Sequence, residues 1–166
     1  MTTECVLLSR EIVEVYQQGN KVLICGNGGL AAESEHFAAE LMGKYGRDVY
    51  IPCISLTGPS SLITALANDI GFEYVFEHQV QTLGKKGDLL IGMTTSNSAN
   101  ILNAIWEGEV KGLRTFILHG PKTPMEEIRH IGLVGDNTAE IQENIIRFLH
   151  EVAREAKELI FADAVH

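Results

Sequence analysis

Long hydrophobic runs are missing from this sequence. No apolar stretch reaches the ~18 to 20 residues that a membrane-spanning helix needs, so no membrane contact is expected. Cationic charge is scarce as well: 13 Lys and Arg stand against 22 Asp and Glu, for a formal net charge of −9. That balance lacks the basic footprint of a nucleic-acid-binding protein, so no direct nucleic-acid partner is expected. A bound phosphate would have to be held by local dipoles against an unfavourable overall field. Cysteine is sparse too. Cys5, Cys25 and Cys53 form an odd set with no CxxC spacing, which argues against a disulfide framework and against a cysteine zinc site. Cys25 and Cys53 lie in apolar runs and read as small buried hydrophobes. The opening Met1-Thr2-Thr3-Glu4-Cys5 lacks the basic-then-apolar layout of a secretory signal. A cytoplasmic location is the expectation.

What is present points to one folded domain over residues 1–166, with 45% hydrophobic and 21% charged residues. Short apolar runs occupy 21–25, 49–56, 88–93, 114–118 and 131–134. Several are continuously apolar rather than alternating, as in strands covered on both faces. Pro52 marks the second run as an edge strand or a bulge. Helical periodicity predicts helices over 3–18, 31–43, 73–83, 99–111 and 138–161, the last with Asn137 and Glu140 set as a cap. Strand alternating with helix gives an α/β fold: three αβα layers around a five-stranded parallel sheet. The segment 120–124 reads as an exposed loop.

Ligands of such sheets bind beyond the carboxyl ends of the strands. The first strand runs into Gly26-Asn27-Gly28-Gly29 and then a helix. Glycines there permit close approach of backbone N–H groups to an anion, although the spacing is neither GxGxxG nor GxxxxGK[ST]. The third strand runs into Thr94-Thr95-Ser96-Asn97-Ser98. Hydroxyls and backbone amides at that position make a neutral phosphate cradle, while a simple helix cap accounts for Ser98 alone. His36 and Glu40, four apart on one helix, face the same way and can share a proton or a metal, or form a plain surface pair. Gln142 and His150 on the last helix add polar groups. His78 and His119 read as surface or loop histidines, and Trp106 as packing.

Taken together and in this order, Gly26–Gly29, His36 through Glu40, Asn68-Asp69-Ile70-Gly71-Phe72, Thr94–Ser98, and Ile141-Gln142 with His150 resemble the SIS (sugar isomerase) domain family. Within it, they resemble the phosphoheptose (sedoheptulose-7-phosphate) isomerases. The resemblance covers about residues 20–160. It implies a flavodoxin-like sheet, a homotetramer with active sites at subunit interfaces, a sugar phosphate substrate and a zinc-dependent aldose–ketose isomerisation. Carried onto this sequence, it puts zinc on His36, Glu40, Gln142 and His150, and acid–base catalysis on Glu40 and His150. Substrate contacts fall on Asn27, Gly28, Gly29, Lys44, Asp69, Thr94, Thr95, Ser96, Ser98 and Gln142.

The sequence also departs from that pattern. Leu30 stands where the family has serine, Ala139 where it has a sugar-contacting aspartate, and Lys44 where it has arginine. The Thr-Ser-Asn-Ser loop is one glycine shorter. These departures keep a second reading open, a non-catalytic SIS module that binds a phosphosugar or acts as a scaffold associated with a replication initiator. Gln142 and His150 are eight residues apart, roughly 12 Å along a regular helix. Meeting at one metal would take extended side chains, a distorted turn, or a ligand from a neighbouring subunit.

Overall fold

The computed structural model describes residues 2–121 and 128–165. In chain order the elements are α1 (Thr3–Gln17), β1 (Val22–Cys25), α2 (Gly29–Met42), β2 (Cys53–Ser55) and α3 (Ser60–Asp69). A single 3₁₀ turn (Phe72–Tyr74) leads into α4 (Val75–Leu83). There follow β3 (Leu89–Thr94), α5 (Ala99–Lys111), β4 (Arg114–His119), β5 (His130–Gly132) and α6 (Thr138–Val165). The five strands form one sheet in the order β2-β1-β3-β4-β5, every neighbouring pair parallel. This is the flavodoxin-like order, and its connections reverse direction between β1 and β3.

Continuous apolar strands follow from helices on both faces. Val22 and Ile24 of β1, Leu89, Ile91 and Met93 of β3, and Phe116 and Leu118 of β4 pack with α1, α2 and α6. Their alternates Leu23, Cys25, Leu90 and Ile117 pack with α4 and α5. All three cysteines are free and buried. Burying each such aliphatic side chain is worth about 1.5–3 kcal/mol, so the two cores fix where the strand ends lie.

The edges depart most from the sequence reading. The expected strand over 49–56 contracts to Cys53–Ser55 at the sheet edge. Ile51 N–H bonds the Leu41 carbonyl of α2 instead of a neighbouring strand, and Pro52 has no N–H to offer. Helix α3 was not anticipated. It carries Leu62, Ile63, Leu66 and Ala67 but buries no residue fully, so its pattern lacks a clear core face. The 73–83 helix starts at Val75 because the 3₁₀ turn precedes it, and α2 starts two residues earlier than expected, at Gly29. At the expected loop, Gly120 is buried and Pro121 lies in a turn, while residues 122–124 fall outside the described residues. His119 is not a surface or loop histidine: it ends β4, is 4% exposed, and is held between Gly120 and His130. His78 is exposed, and Trp106 is half exposed on α5. No helix among the described residues is long and apolar enough to cross a membrane.

Candidate functional site

Two turns meet at the switch point between β1 and β3. The first is Gly26-Asn27-Gly28. Gly28 has φ 60° and ψ −121°, a conformation open to glycine and strained for any side chain. No side chain caps α2; the N–H groups of Leu30 and Ala31 bond the carbonyls of Asn27 and Gly28, which leaves the N–H of Gly29 at the helix start for a ligand. Gly29 faces α6 closely: a Cβ there would lie 2.6 Å from Oε1 of Gln142, whose amide end would have to shift. The amide of Gln142 therefore packs against the glycine turn.

The second turn follows β3. Buried Thr94 accepts hydrogen bonds at Oγ1 from the N–H groups of Ser96 (3.2 Å) and Ser98 (3.1 Å). Ser98 occupies the N-cap position of α5, yet its hydroxyl caps no backbone N–H. The simple capping account of Ser98 thus fails, and Thr94 performs the ordering. Asn97 sits at φ 57°, in the left-handed region that asparagine tolerates. Thr95, Gly120, Asp136, Asn137, Thr138 and Ile141 line a cavity of about 310 Å³ that opens beside this turn. At its far wall Asn137 caps α6, accepting from the N–H of Glu140 at 3.1 Å, as its spacing predicts.

The third component joins α2 to α6. Phe37, Ala38 and Leu41 turn one face of α2 into the core, which leaves His36 and Glu40 on its flank. On α6, buried Leu149, Val152, Ala153 and Ala156 do the same and set His150 at the boundary. Glu40 Oε1 lies 2.9 Å from Nε2 of both His36 and His150, and the two Nε2 atoms are 3.2 Å apart. Tyr45 packs beside the His150 ring at 5.9 Å. The donor atoms of His36, Glu40 and His150 all lie within 4.8 Å of one another, and all three belong to one chain.

This donor set suits a divalent metal. Two imidazole nitrogens and a carboxylate oxygen converge, and Oε2 of Glu40 is buried without a hydrogen-bond partner. Gln142 lies two turns earlier on α6, with its amide beside Gly29. One turn before His36, Glu33 also has a buried, unpartnered Oε2. Burial pushes its carboxyl up to about 7, while the charge of His36 acts in the opposite sense.

Two other predicted contacts are exposed. Lys44 is exposed just beyond the end of α2, fifteen residues from Gly29. Asp69 is exposed at the end of α3, where its Oδ1 accepts from Asn68 at 2.9 Å. Three polar groups near the site were not anticipated. Glu33 resembles an ordinary helix-surface acid, whereas Asn100 and Lys157 sit where helix periodicity expects packing. Asn100 is 3% exposed and exchanges two hydrogen bonds with Asn27. Lys157 is fully buried and donates to the Gly43 carbonyl at 2.6 Å.

Known proteins share this fold. The SIS domain family matches residues 6–120. The phosphoheptose isomerase of Aliarcobacter butzleri is 44% identical over 151 residues, covering 88% of this chain and 80% of that protein. The structure of the phosphoheptose isomerase from Neisseria gonorrhoeae superposes with a TM-score of 0.85 at 32% identity, over 94% of this chain and 86% of the other. That of a phosphoheptose isomerase from Francisella tularensis gives 0.87 at 30% identity, with the same coverage of 94% and 86%. With near full-length agreement in both sequence and fold, the chain belongs to the SIS domain family and, within it, to the phosphoheptose isomerases.

Proposed function

We propose that this chain interconverts sedoheptulose 7-phosphate and D-glycero-D-manno-heptose 7-phosphate through an enediol. The observation that carries the reading is the convergence of His36, Glu40 and His150 from α2 and α6, with Glu40 Oε1 2.9 Å from each imidazole. The names of the similar proteins support the same reading.

Ketose–aldose isomerisation removes a proton from C1 and delivers one to C2, while the hydroxyl proton relocates between the two oxygens. A carboxylate suits the carbon-bound proton, and Glu40 keeps Oε2 free of other partners for it. His150 handles the oxygen-bound proton. Its imidazole has two nitrogens, so one can be bound while the other carries a proton. Nε2 of His36 lies 2.9 Å from Glu40 Oε1 and would turn from that contact to the ion when a metal is bound. The phosphate is taken at the switch point, by the backbone of Gly28 and Gly29 and by the loop of Thr95, Ser96 and Ser98, with Thr94 ordering that loop. Remote phosphate binding energy then positions the reacting end.

The metal in this reading is zinc, held by His36, Glu40 and His150, and when bound it supplies Lewis acidity toward a carbonyl oxygen. Gln142, set beside Gly29, is the fourth candidate ligand and also reaches toward the sugar.

A homotetramer completes the proposal. Leu62 (38%), Ile70 (45%), Phe72 (52%) and Tyr74 (40%) are exposed apolar side chains along α3, the 3₁₀ turn and the link between them, with Phe72 beside the glycine turn. Such side chains suit burial between copies. Lys44 and Asp69 would then serve a neighbouring copy's site.

The test is turnover of sedoheptulose 7-phosphate by purified protein, before and after chelation and with zinc restored. Expected are isomerisation, its loss on chelation and its return with zinc. Absence of turnover with the protein folded and zinc-loaded would overturn the reading.

A further inference from the structure

Asn100 is the second residue of α5 and is 3% exposed, an unusual place for an amide in a helix that otherwise buries Ile101, Ala104 and Ile105. Its partner is 73 positions away. Nδ2 of Asn27 donates to Oδ1 of Asn100 at 2.8 Å, and Nδ2 of Asn100 donates back to Oδ1 of Asn27 at 2.9 Å. The two side chains close a ring of two hydrogen bonds across the switch point. Among the described residues, these are the hydrogen bonds that join the glycine turn 26–28 to the segment 95–100. The other polar contacts of that segment around Thr94 are internal to it.

We propose that Asn100 is a positioning residue for anion binding: through the reciprocal amide ring it pins the β1–α2 turn to the start of α5, so that the two turns address one phosphate. The inference rests on the phosphate site proposed above. Its chemistry is specific to two amides. Each contributes one donor and one acceptor to the ring, and each keeps one N–H and one lone pair over. Asn27 thus does two jobs, clasping α5 with one side of its amide and leaving the other side toward the ligand. A carboxylate at position 100 would accept from Asn27 but set an oxygen against Oδ1 of Asn27. A side chain without an amide would leave the polar atoms of Asn27 without this partner.

The variants are Asn100→Asp and Asn100→Ser, the second being short and uncharged so that the test survives if the first fails to fold. Binding of inorganic phosphate is measured by calorimetry, and kcat and KM for the sugar phosphate are measured in parallel. Either folded variant is expected to bind phosphate about tenfold more weakly and to raise KM by a similar factor, with kcat within about threefold of wild type. A role confined to stability would lower Tm while leaving phosphate affinity and KM unchanged. That outcome, in a wild-type protein that binds phosphate and turns over substrate, would overturn the inference and leave the isomerase reading intact. A wild type that turns over substrate but binds no phosphate would also overturn it. In a double-mutant cycle with Asn27→Ala and Asn100→Ala, the pair acting as one ring predicts that the double variant weakens phosphate binding little more than the stronger single one. Fully additive losses would count against the ring.

Discussion

Two histidine pairs in this molecule have ring centroids 5.1 Å apart, and they do different work. In the His36–His150 pair both Nε2 atoms point at one carboxylate oxygen, and the rings are partly exposed. In the His119–His130 pair the neighbour is a backbone carbonyl, that of Gly120. A carbonyl only accepts, so Nδ1 of His119 donates to it, and Nε2 is left to accept from Nδ1–H of His130 at 2.9 Å. The hydrogen-bonding capacity of the buried ring is then spent. The first pair keeps a negative partner with a free oxygen, Oε2 of Glu40. The lesson is that the third group, and not the spacing of two imidazoles, separates a donor set from a structural clasp.

Removing that third group gives the largest expected effect. Glu40→Gln preserves shape and replaces the carboxylate with a neutral amide. It is expected to lower kcat by about 10²- to 10⁴-fold, the usual worth of a positioned acid–base group, with the far-UV circular dichroism unchanged. Zinc affinity measured by calorimetry should fall in the same variant, because the donor set loses its only anion. A variant that retains wild-type kcat would erase the distinction between the two pairs.

The support behind the first pair comes next in size. Lys157 is fully buried on α6, and its ammonium closes the end of α2 by donating to the Gly43 carbonyl. Burial pushes its pKa down, while the charges of Glu40 and Asp48 act to raise it. Lys157→Ala removes both the packed stem and the donor, and is expected to cost about 2–4 kcal/mol of stability. Lys157→Met refills the volume, so it should recover the packing part and leave the hydrogen-bond part lost. Urea denaturation of the two variants separates these contributions. Equal stability of all three proteins would show that the buried cation holds nothing in place.

The contrast between the pairs also marks what a sequence can disclose. The strand–helix alternation is plain in Leu89–Thr94 and Ala99–Lys111 because each is covered on a predictable face. Helix α3 escaped because no residue of it is fully buried, and β2 was overextended because Ile51 bonds α2 rather than a strand. His36 and Glu40 are readable as an i,i+4 pair, and His150 joined them only through a family resemblance, since 114 positions separate it from His36. The eight-residue gap between Gln142 and His150 is visible in the sequence, and the placement of the Gln142 amide beside Gly29 is not. Asn100, Lys157 and His119 were missed for a common reason. A buried polar residue is justified by a partner outside its own element, 73 positions away for Asn100, 114 for Lys157 and 11 for His119, and local periodicity carries no trace of it.

The second pair makes the smallest prediction and the most diagnostic one. Burial lowers the pKa of His119 from its ordinary 6.5, His130 pushes it the same way, and the Gly120 carbonyl opposes both. In the unfolded chain the group keeps its ordinary value. As pH falls below about 6.5, the unfolded chain therefore takes up a proton that the folded chain refuses. Stability is fully present above that pH, is lost as pH drops toward the lowered folded value, and levels off below it. Protonation would also place an Nε2–H against the nitrogen that now donates to it, so the clasp between β4 and β5 loosens by the same event. In His119→Gln the titration is gone, and the fall in Tm between pH 7 and pH 5 should be shallower than in wild type, while turnover at pH 7.5 stays close to the wild-type value. An unchanged slope would place the acid sensitivity elsewhere. A loss of turnover at pH 7.5 with stability intact would make the second pair functional after all, and the line drawn between the two pairs would have to move.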